Sequence, residues 1–270
     1  MGFVVRLINL DRSQDRLAAF RVCNPNLPFE RVAAVDGKRL NRDSCIQNGL
    51  ITPANTYDAP SLGIAASHIG LWQACAAGSE PFHIAEDDTI FHRDFVAMAS
   101  DMLAKLGTWD IVFWGFNFDW SVEVEIMPAI GATVISFDQD AMRARFGVFR
   151  ECPVRPFLTR LLSCAGIAAY SISPEGARRY LERCLPIADK PARYVFNGDT
   201  KRWLKFLDHC IPITDAGIRH ILDTESTNWL NYGLDVEMAR HHADLHAFAC
   251  VPPLAITPND HARSTARGAG

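Results

Sequence analysis

The sequence predicts an α/β fold in which helices flank a mostly parallel, twisted sheet. Short runs of β-branched and apolar residues alternate along the chain with longer runs that carry apolar residues at a helical spacing. The chain has 270 residues, of which 49% are hydrophobic, so it can bury the core of one large domain. We expect that domain to span residues 1–250. Residues 251–270 contain three prolines and end in Gly-Ala-Gly, a composition typical of a poorly ordered tail.

Charge and hydrophobicity exclude several kinds of partner. The formal net charge of −4 gives no general attraction to nucleic acid or to an anionic membrane. The N-terminus reaches Asp11 without the apolar region of a signal peptide. The longest uncharged run, residues 59–79, contains His68 and several serines and glycines, which favour a buried helix over a membrane span. We therefore expect a cytoplasmic protein with no nucleic-acid partner and no transmembrane segment, while peripheral association with a membrane stays open.

The start of the chain predicts a strand, a helix and a second strand. Residues 3–10 are mostly apolar, and Ser13 can cap a helix that extends to Phe20. Residues 29–35 predict the second strand, which ends in a turn that uses a positive φ at Gly37. In open α/β sheets, ligands bind beyond the carboxyl ends of the strands. The polar residues after these two strands are candidate nucleotide contacts: Asn9, Asp11, Arg12, Arg16 and Asp36. Helix capping, Asx turns and surface ion pairs explain the same residue types, so both interpretations stay open.

The most informative stretch is residues 81–91, where an apolar strand runs directly into Glu86, Asp87 and Asp88. Three adjacent carboxylates repel one another, and burying an unpaired one is costly, so a cation is expected beside them. Residues two apart on a strand share a face, which makes Glu86 and Asp88 candidate oxygen ligands of a divalent metal and turns Asp87 the other way. A solvated acidic turn is the competing interpretation.

A buried helix is predicted before this strand, because apolar residues from Leu62 to Ala76 follow a helical spacing. Ser67 and His68 interrupt its apolar face, although a lone histidine in a buried helix is more often a core residue than a ligand. The next strand, residues 109–114, ends at the first of four aromatic residues that lie within the seven positions from Trp114 to Trp120. We expect this aromatic run to lie within reach of the bound ligand, while a loop that covers the core has the same composition.

The second half of the chain gives weaker patterns. Residues 121–160 suggest two alternating segments and then a basic loop, either one that closes over a diphosphate or an ordinary solvated excursion. Residues 166–172 predict a strand, and Ser173 then caps a helix with proline at its first position. A further helix from 197 to 208 and a last strand from 210 to 214 complete the predicted elements.

Four segments in this order resemble glycosyltransferase family 25, the lipooligosaccharide and procollagen galactosyltransferase family. They are Ile8–Ser13, Ala34–Gly37, the stretch from Gly63 to Asp88 that includes Ser67-His68 and Glu-Asp-Asp, and Ala169–Ala177. The resemblance implies a GT-A fold, which is Rossmann-like, and a UDP-sugar donor, most often UDP-galactose and next UDP-glucose. It further implies Mn²⁺ or Mg²⁺ as cofactor, inversion at the anomeric carbon, and a glycan or lipid-linked saccharide acceptor, as in lipopolysaccharide biosynthesis.

The resemblance also implies roles for particular residues. The metal ligands would be Glu86 and Asp88 of the Glu-Asp-Asp motif. Together with the strand-end argument, the candidate nucleotide-sugar contacts are Asn9, Asp11, Arg12, Asp36, Ser67, His68 and Asp87. Asp199 is the nearest match to an aspartate that opens a helix in the family, and Asn197 and Gly198 stand where the family has a Pro-Val pair. We take Asp199 as the candidate general base that deprotonates the acceptor hydroxyl.

Two other classes of protein compete with the transferase. A catalytically silent nucleotide-sugar or glycan-binding protein would share the fold, but the intact acidic triplet speaks against it. A metal-dependent phosphodiesterase would need further His or Asp ligands. His242 and His246 have the spacing to bind a metal from one helix, although a polar helix face explains them more simply.

Overall fold

A computed structural model describes residues 2–118, 120–190, 192–193 and 228–258. Within these ranges the helices are α1 (Gln14–Cys23), α2 (Arg42–Gln47), α3 (Ala59–Ala76), α4 (Phe95–Lys105), α5 (Gln139–Ala144), α6 (Phe146–Phe149), α7 (Pro174–Cys184) and α8 (Leu234–Ala239). The strands are β1 (Val5–Asn9), β2 (Phe29–Ala33), β3 (Phe82–Glu86), β4 (Ile90–Phe91), β5 (Ile111–Gly115), β6 (Val122–Met127), β7 (Gly131–Ile135), β8 (Phe157–Ser163), β9 (Ala169–Ile172), β10 (Ala192–Arg193), β11 (Asn228–Trp229), β12 (Ala247–Val251) and β13 (Ala255–Ile256). Short 3₁₀ segments cover Gly37–Arg39 and His242–Asp244.

Nine of the described strands form one sheet in the order β2-β1-β3-β9-β5-β12-β8-β6-β7. The pairings orient β1, β2, β3, β5, β6 and β12 in one direction and β7, β8 and β9 in the other. The predicted α/β class is therefore confirmed. Since β2, β1 and β3 are parallel neighbours, their carboxyl ends meet at one edge of the sheet, where ligands bind in open α/β folds.

Two apolar cores cover the two faces of the sheet. Adjacent strand residues point to opposite faces, so Leu7 joins one core and Ile8 the other. The Ile8 core is completed by side chains of α3, α7 and α8, such as Trp72 and Tyr180. The Leu7 core is completed by α1 and α4, with Phe20 as an example. The sheet is thus the middle layer between two layers of helices.

Most predicted elements of the first half are confirmed, and the main omissions lie in the second half. Ser173 caps α7, since its Oγ accepts the Gly176 N–H at 2.9 Å. In the stretch interpreted as a basic loop, β8 instead pairs with β6 and β12, and the Arg160 guanidinium donates to the carbonyls of Leu245 and Ala243. The predicted helix from 197 to 208 and strand from 210 to 214 lie outside the described residues.

The fold extends past the boundary predicted at residue 250. Leu254 is fully buried, and its N–H donates to the Trp114 carbonyl at 2.9 Å. β13 pairs with β4, and Thr257 is also buried. Residues 251–258 therefore belong to the packed structure, despite their three prolines, because their apolar side chains complete the core. The remainder of the predicted tail lies outside the described residues.

The aromatic run from Trp114 to Trp120 forms core, so the prediction that it faces the ligand was wrong. Its four aromatic side chains are at most 7% exposed. Trp114 lies in β5 in the interior of the sheet, and Phe116 and Phe118 pack against Phe137.

No helix within the described residues is long and apolar enough to cross a membrane. The uncharged run that raised this question is α3, which packs under the sheet.

Candidate functional site

A cavity of about 150 Å³ opens at the carboxyl ends of β1, β2 and β3. Its remaining wall is the face of α3 that contains Gly63, Ser67 and His68. The polar side chains that line it are Asn9, Arg12, Arg16, Asp36, Lys38, Ser67, His68, Glu86, Asp87 and Asp88. This volume suits a diphosphate or a sugar ring and is below the ~300 Å³ of a site that encloses a whole drug-sized ligand.

Asn9, the last residue of β1, connects three parts of the site. Its Nδ2 donates to Asp87 Oδ2 at 2.7 Å and to the Ser13 carbonyl at 3.0 Å. Its Oδ1 accepts from Arg31 Nε at 2.9 Å. Asn9 is 1% exposed, and these bonds use both its amide hydrogens and its oxygen. Asn9 therefore positions Asp87 in the cleft.

Only the first residue of the acidic triplet lies in the strand. β3 ends at Glu86, so Asp87 and Asp88 lie in the turn that follows, and the strand-face argument used for Glu86 and Asp88 does not hold here. Arg16 of α1 forms an ion pair with Asp87 and lies 3.5 Å from Asp88 Oδ2. A cation beside the triplet was expected from the sequence, and Arg16 supplies one.

Asp88 has the chemistry of a cation ligand. Its Oδ1 is buried and has no hydrogen-bond partner among the described residues. Burial, reinforced by the neighbouring Glu86, raises the pKa of Asp88 to about 6, although Arg16 and then a hydrogen bond from Thr257 act in the opposite direction. Hard divalent cations prefer carboxylate oxygens as ligands. Asp88 Oδ1 and the partly exposed carboxylate of Glu86 supply such oxygens beside a polar cleft. The pair Glu86 and Asp88 could therefore hold Mn²⁺ or Mg²⁺.

Asp87 differs from Asp88 in that both of its carboxylate oxygens have partners among the described residues. Burial raises its pKa, while Arg16 and the amide of Asn9 act in the opposite direction. Its carboxylate oxygens are already engaged by these two residues. Asp87 therefore anchors α1 and β1 to the turn, and its side chain contributes less free coordination capacity to the cavity than Asp88 does.

The loop after β2 is held against α3 by a close backbone contact. A Cβ atom on Gly63 would lie 2.7 Å from both the Val35 carbonyl oxygen and the Gly37 nitrogen. Ser67 Oγ accepts the Val35 N–H at 2.8 Å and donates to the Gly63 carbonyl at 2.7 Å. Gly37 has no positive φ, so that prediction was wrong; a side chain at Gly37 is excluded by the Ala59 carbonyl instead.

Two charged residues stand at the mouth of the cleft on this side. Asp36 Oδ1 accepts the Lys38 N–H at 3.1 Å, and its other oxygen forms an ion pair with Arg12. Arg12 is about half exposed and joins the loop after β1 to the loop after β2. Both side chains line the cavity and remain accessible to a ligand. Asp11, by contrast, is 80% exposed, forms an ion pair with Arg31, and is absent from the cavity lining.

His68 is the most buried titratable side chain of the cavity wall. It is 1% exposed, and its Nδ1 lies 2.7 Å from the hydroxyl of Tyr170 in β9. The same hydroxyl accepts from Trp72 Nε1 at 2.8 Å. Neither Trp72 nor Tyr170 was predicted to belong to the site. Trp72 is four positions after His68 in α3, whereas only the pairing of β9 with β3 brings Tyr170 to the histidine. Asp199, the candidate base, lies outside the described residues.

A second group of metal-ligating side chains lies outside the cavity. Ligand atoms of Cys184, Glu237 and His241 are within 4.8 Å of one another. Both oxygens of Glu237 are already bonded, one to Asn231 Nδ2 at 2.6 Å and the other to Arg240 Nη1 at 2.7 Å. A set of sulfur, nitrogen and oxygen donors suits Zn²⁺ better than Mn²⁺. This group therefore does not supply the metal site that the sequence predicts.

Comparison with known proteins agrees with the geometry of the cleft. A family model described as glycosyltransferase family 25 (LPS biosynthesis protein) matches residues 4–192. No curated protein matches the chain. The family match spans more than half of the chain and includes every strand and loop that lines the cavity. The chain therefore belongs to glycosyltransferase family 25 and is a glycosyltransferase.

Proposed function

We propose that the protein transfers a hexose from a UDP-sugar to a hydroxyl group of a glycan or lipid-linked saccharide, with inversion at the anomeric carbon and with a divalent cation. Galactose is the first candidate for the hexose and glucose the second. The observation that carries the proposal is the buried Oδ1 of Asp88, which has no hydrogen-bond partner among the described residues and lies at a cleft at the carboxyl ends of β1, β2 and β3. A cation ligand is the simplest reason to retain such an oxygen.

In this proposal the side chains of the cleft act on the diphosphate. Glu86 and Asp88 hold Mn²⁺ or Mg²⁺, and Arg16 limits their mutual repulsion. When bound, the metal supplies a Lewis acid that stabilises negative charge on the leaving phosphate. Arg12 and Lys38 add positive charge at the mouth of the cleft. The hydrogen bond between Asn9 and Asp87 holds the loop after β1 and the turn after β3 in fixed positions relative to each other.

The transfer is a single displacement. The acceptor oxygen forms a bond to the anomeric carbon, the bond from that carbon to the diphosphate oxygen breaks, and the electron pair leaves with UDP. The acceptor hydroxyl gives its proton to a carboxylate, for which Asp199 is our candidate. Because the acceptor attacks opposite the leaving diphosphate, the configuration of the sugar is inverted.

Donor hydrolysis and transfer assays test this proposal. We expect UDP release from UDP-galactose or UDP-glucose that requires Mn²⁺ or Mg²⁺ and increases with a saccharide acceptor. Asp88→Asn should lower the rate by about 10²–10⁴, the loss of a metal ligand at a charged leaving group. Asp101→Asn, an exposed aspartate in α4, is the matched control and should keep the wild-type rate. Tight UDP binding without turnover of any donor would support the silent binding protein instead.

A further inference from the structure

The ring of His68 has one nitrogen paired and one unpaired. Nδ1 lies 2.7 Å from the Tyr170 hydroxyl, whereas Nε2 is buried and has no hydrogen-bond partner among the described residues. The carboxylate of Glu86 is 3.8 Å from Nε2, which is beyond hydrogen-bond distance. His68 is 1% exposed and lines the cavity, as does Glu86, so Nε2 lies in the cavity wall and has little access to bulk water.

The hydrogen bonds of the Tyr170 hydroxyl determine which ring nitrogen of His68 carries the proton. The indole N–H of Trp72 can only donate, so the Tyr170 oxygen accepts from it at 2.8 Å. Tyr170 is 0% exposed, and its own hydroxyl proton needs an acceptor because a buried unpaired O–H is unfavourable. His68 Nδ1 is the acceptor in contact with that hydroxyl. Nδ1 must then carry a lone pair, which leaves the ring proton on Nε2.

We propose that Tyr170 is a positioning residue that fixes His68 as the Nε2–H tautomer, so that His68 presents an N–H donor to an acceptor oxygen of the bound nucleotide sugar. The tautomer rests on contacts within the protein, and only the identity of the ligand rests on the proposed function. His68 in this state does not ligate a metal through Nε2 and does not accept the proton of the acceptor hydroxyl. That assignment separates His68 from the base and from the ligands Glu86 and Asp88.

The arrangement also explains how an unpaired N–H is retained in a buried position. An unsatisfied buried donor destabilises the free protein, and an oxygen of the ligand would remove that penalty on binding. The interaction therefore favours the bound state. Phosphate oxygens and sugar hydroxyls both have the required acceptor chemistry.

The tautomer can be observed directly in ¹H–¹⁵N correlation spectra of the histidine rings, with the His68 signals assigned by their loss in His68→Gln. We expect the proton of the neutral ring to be on Nε2, with Nδ1 unprotonated, in the free wild-type protein. Tyr170→Phe should remove this preference, because the hydroxyl that donates to Nδ1 is lost. Protonation of Nδ1, or of both nitrogens, in the wild type would overturn the proposal.

Tyr180→Phe is a matched control for the substitution in Tyr170. Tyr180 is also fully buried, and its hydroxyl lies 2.8 Å from Nδ1 of His242, a histidine that does not line the cavity. The control removes a tyrosine–histidine bond of the same chemistry and should leave the His68 signals unchanged. Equal changes in the His68 signals with both variants would mean that Tyr170 acts on general packing, and would refute its positioning role.

Binding of UDP, UMP, uridine and UDP-galactose, measured by titration calorimetry, tests the role of the donor. His68→Leu should weaken binding of the ligand whose oxygen is contacted by about tenfold or more. His68→Gln retains an amide N–H near the position of Nε2 and should lose much less. Weakening with UDP and UMP assigns the oxygen to a phosphate, and weakening with UDP-galactose alone assigns it to the sugar. Unchanged affinity for all four ligands in His68→Leu would overturn the donor role.

The same titrations separate this inference from the proposed function. If the wild type binds none of the uridine ligands, the UDP-sugar donor of the proposed function fails, and the assigned donor role fails with it. The spectra still decide the tautomer in that case. Should Tyr170→Phe fail to fold, the wild-type spectrum and the two His68 variants remain sufficient to support or refute the proposal.

Discussion

Asn9 Nδ2 donates to Asp87 Oδ2 at 2.7 Å, and this bond ties the end of β1 to the turn after β3. The two residues are separated by 78 positions in the sequence and are both buried. The carboxylate of Asp87 depends on this amide and on Arg16 to remain charged in the cleft. The bond therefore links stability of the fold to geometry of the site.

Replacement of Asn9 should destabilise the protein. Asn9→Ala removes one donor to Asp87 and the acceptor of Arg31, and buried groups left unpaired in this way cost about 1–3 kcal/mol. Urea unfolding monitored by circular dichroism measures the change. Asn48→Ala, at an exposed position after α2, should change the free energy of unfolding by less than about 0.5 kcal/mol. Equal effects of the two substitutions would show that the Asn9 bonds do not matter.

Gly63 should be essential for the contact between α3 and the loop after β2. A Cβ at Gly63 would lie 2.7 Å from backbone atoms of Val35 and Gly37, so Gly63→Ala must shift the helix or the loop. We expect a destabilisation of about 1–3 kcal/mol. Gly70→Ala in the same helix is the matched control. A Cβ there meets nothing within 4 Å, and the helix propensity of alanine should stabilise the protein by about 0.5–1 kcal/mol.

The protein should become less stable as the pH decreases, and His83 should cause part of this loss. Burial, and then the nearby Arg6, lower the pKa of His83 to about 4. The unfolded state therefore binds a proton near pH ~6.5, before the folded state does, so stability is complete above pH ~6.5 and is lost as the pH falls toward ~4. Between about pH 7.5 and about pH 5 this histidine should account for roughly 1–2 kcal/mol of the loss.

His83→Gln tests that contribution. The variant should lose less stability than the wild type over the same pH interval, as measured by urea unfolding at each pH. His246→Gln, at an exposed position, should retain the wild-type dependence. Identical pH dependence in wild type and His83→Gln would contradict the assignment.

Local sequence patterns mark the cleft, whereas the contacts between distant segments that complete it have no local pattern. The strands that end at Asn9 and Glu86 are apolar runs with abrupt polar ends, and these local signals located the cleft. Contacts between distant segments had no local signal. The sequence predicts Arg16 as a candidate nucleotide contact but not as the partner of Asp87, and it predicts Tyr170 only as part of a buried strand. β12 lacks clear alternation because it is buried on both faces, and was therefore missed.

Removal of divalent cations should weaken UDP binding. Glu86, Asp87 and Asp88 place negative charge in the cleft, and repulsion of the diphosphate is expected when no metal is present. We expect the dissociation constant of UDP, measured by calorimetry, to rise by about tenfold or more in a chelator, and to recover with Mn²⁺. Uridine, which lacks phosphates, should bind equally in both conditions. An unchanged affinity of UDP after chelation would refute metal dependence of donor binding.

Asp87 and Asp88 should respond in opposite ways to the same substitution. Asp87→Asn removes the charge that pairs with the partly buried Arg16 and accepts from Asn9, so it should lower the free energy of unfolding by about 2–4 kcal/mol. Burial raises the pKa of both carboxyl groups, so the two residues differ in their contacts: Asp88 Oδ1 has no hydrogen-bond partner among the described residues, and Arg16 lies 3.5 Å from its Oδ2. Asp88→Asn therefore breaks fewer contacts than Asp87→Asn and should leave the melting temperature unchanged or raise it, because an unfavourable buried charge is removed. Activity should show the reverse order. Asp88→Asn removes the proposed metal ligand and should lower the transfer rate by about 10²–10⁴, whereas folded Asp87→Asn should retain more of its activity.

Melting temperatures and transfer rates of the two variants test these expectations, with Asp101→Asn as the control for both. A destabilised, inactive Asp88→Asn beside a stable, active Asp87→Asn would mean that the two carboxylates have the opposite roles.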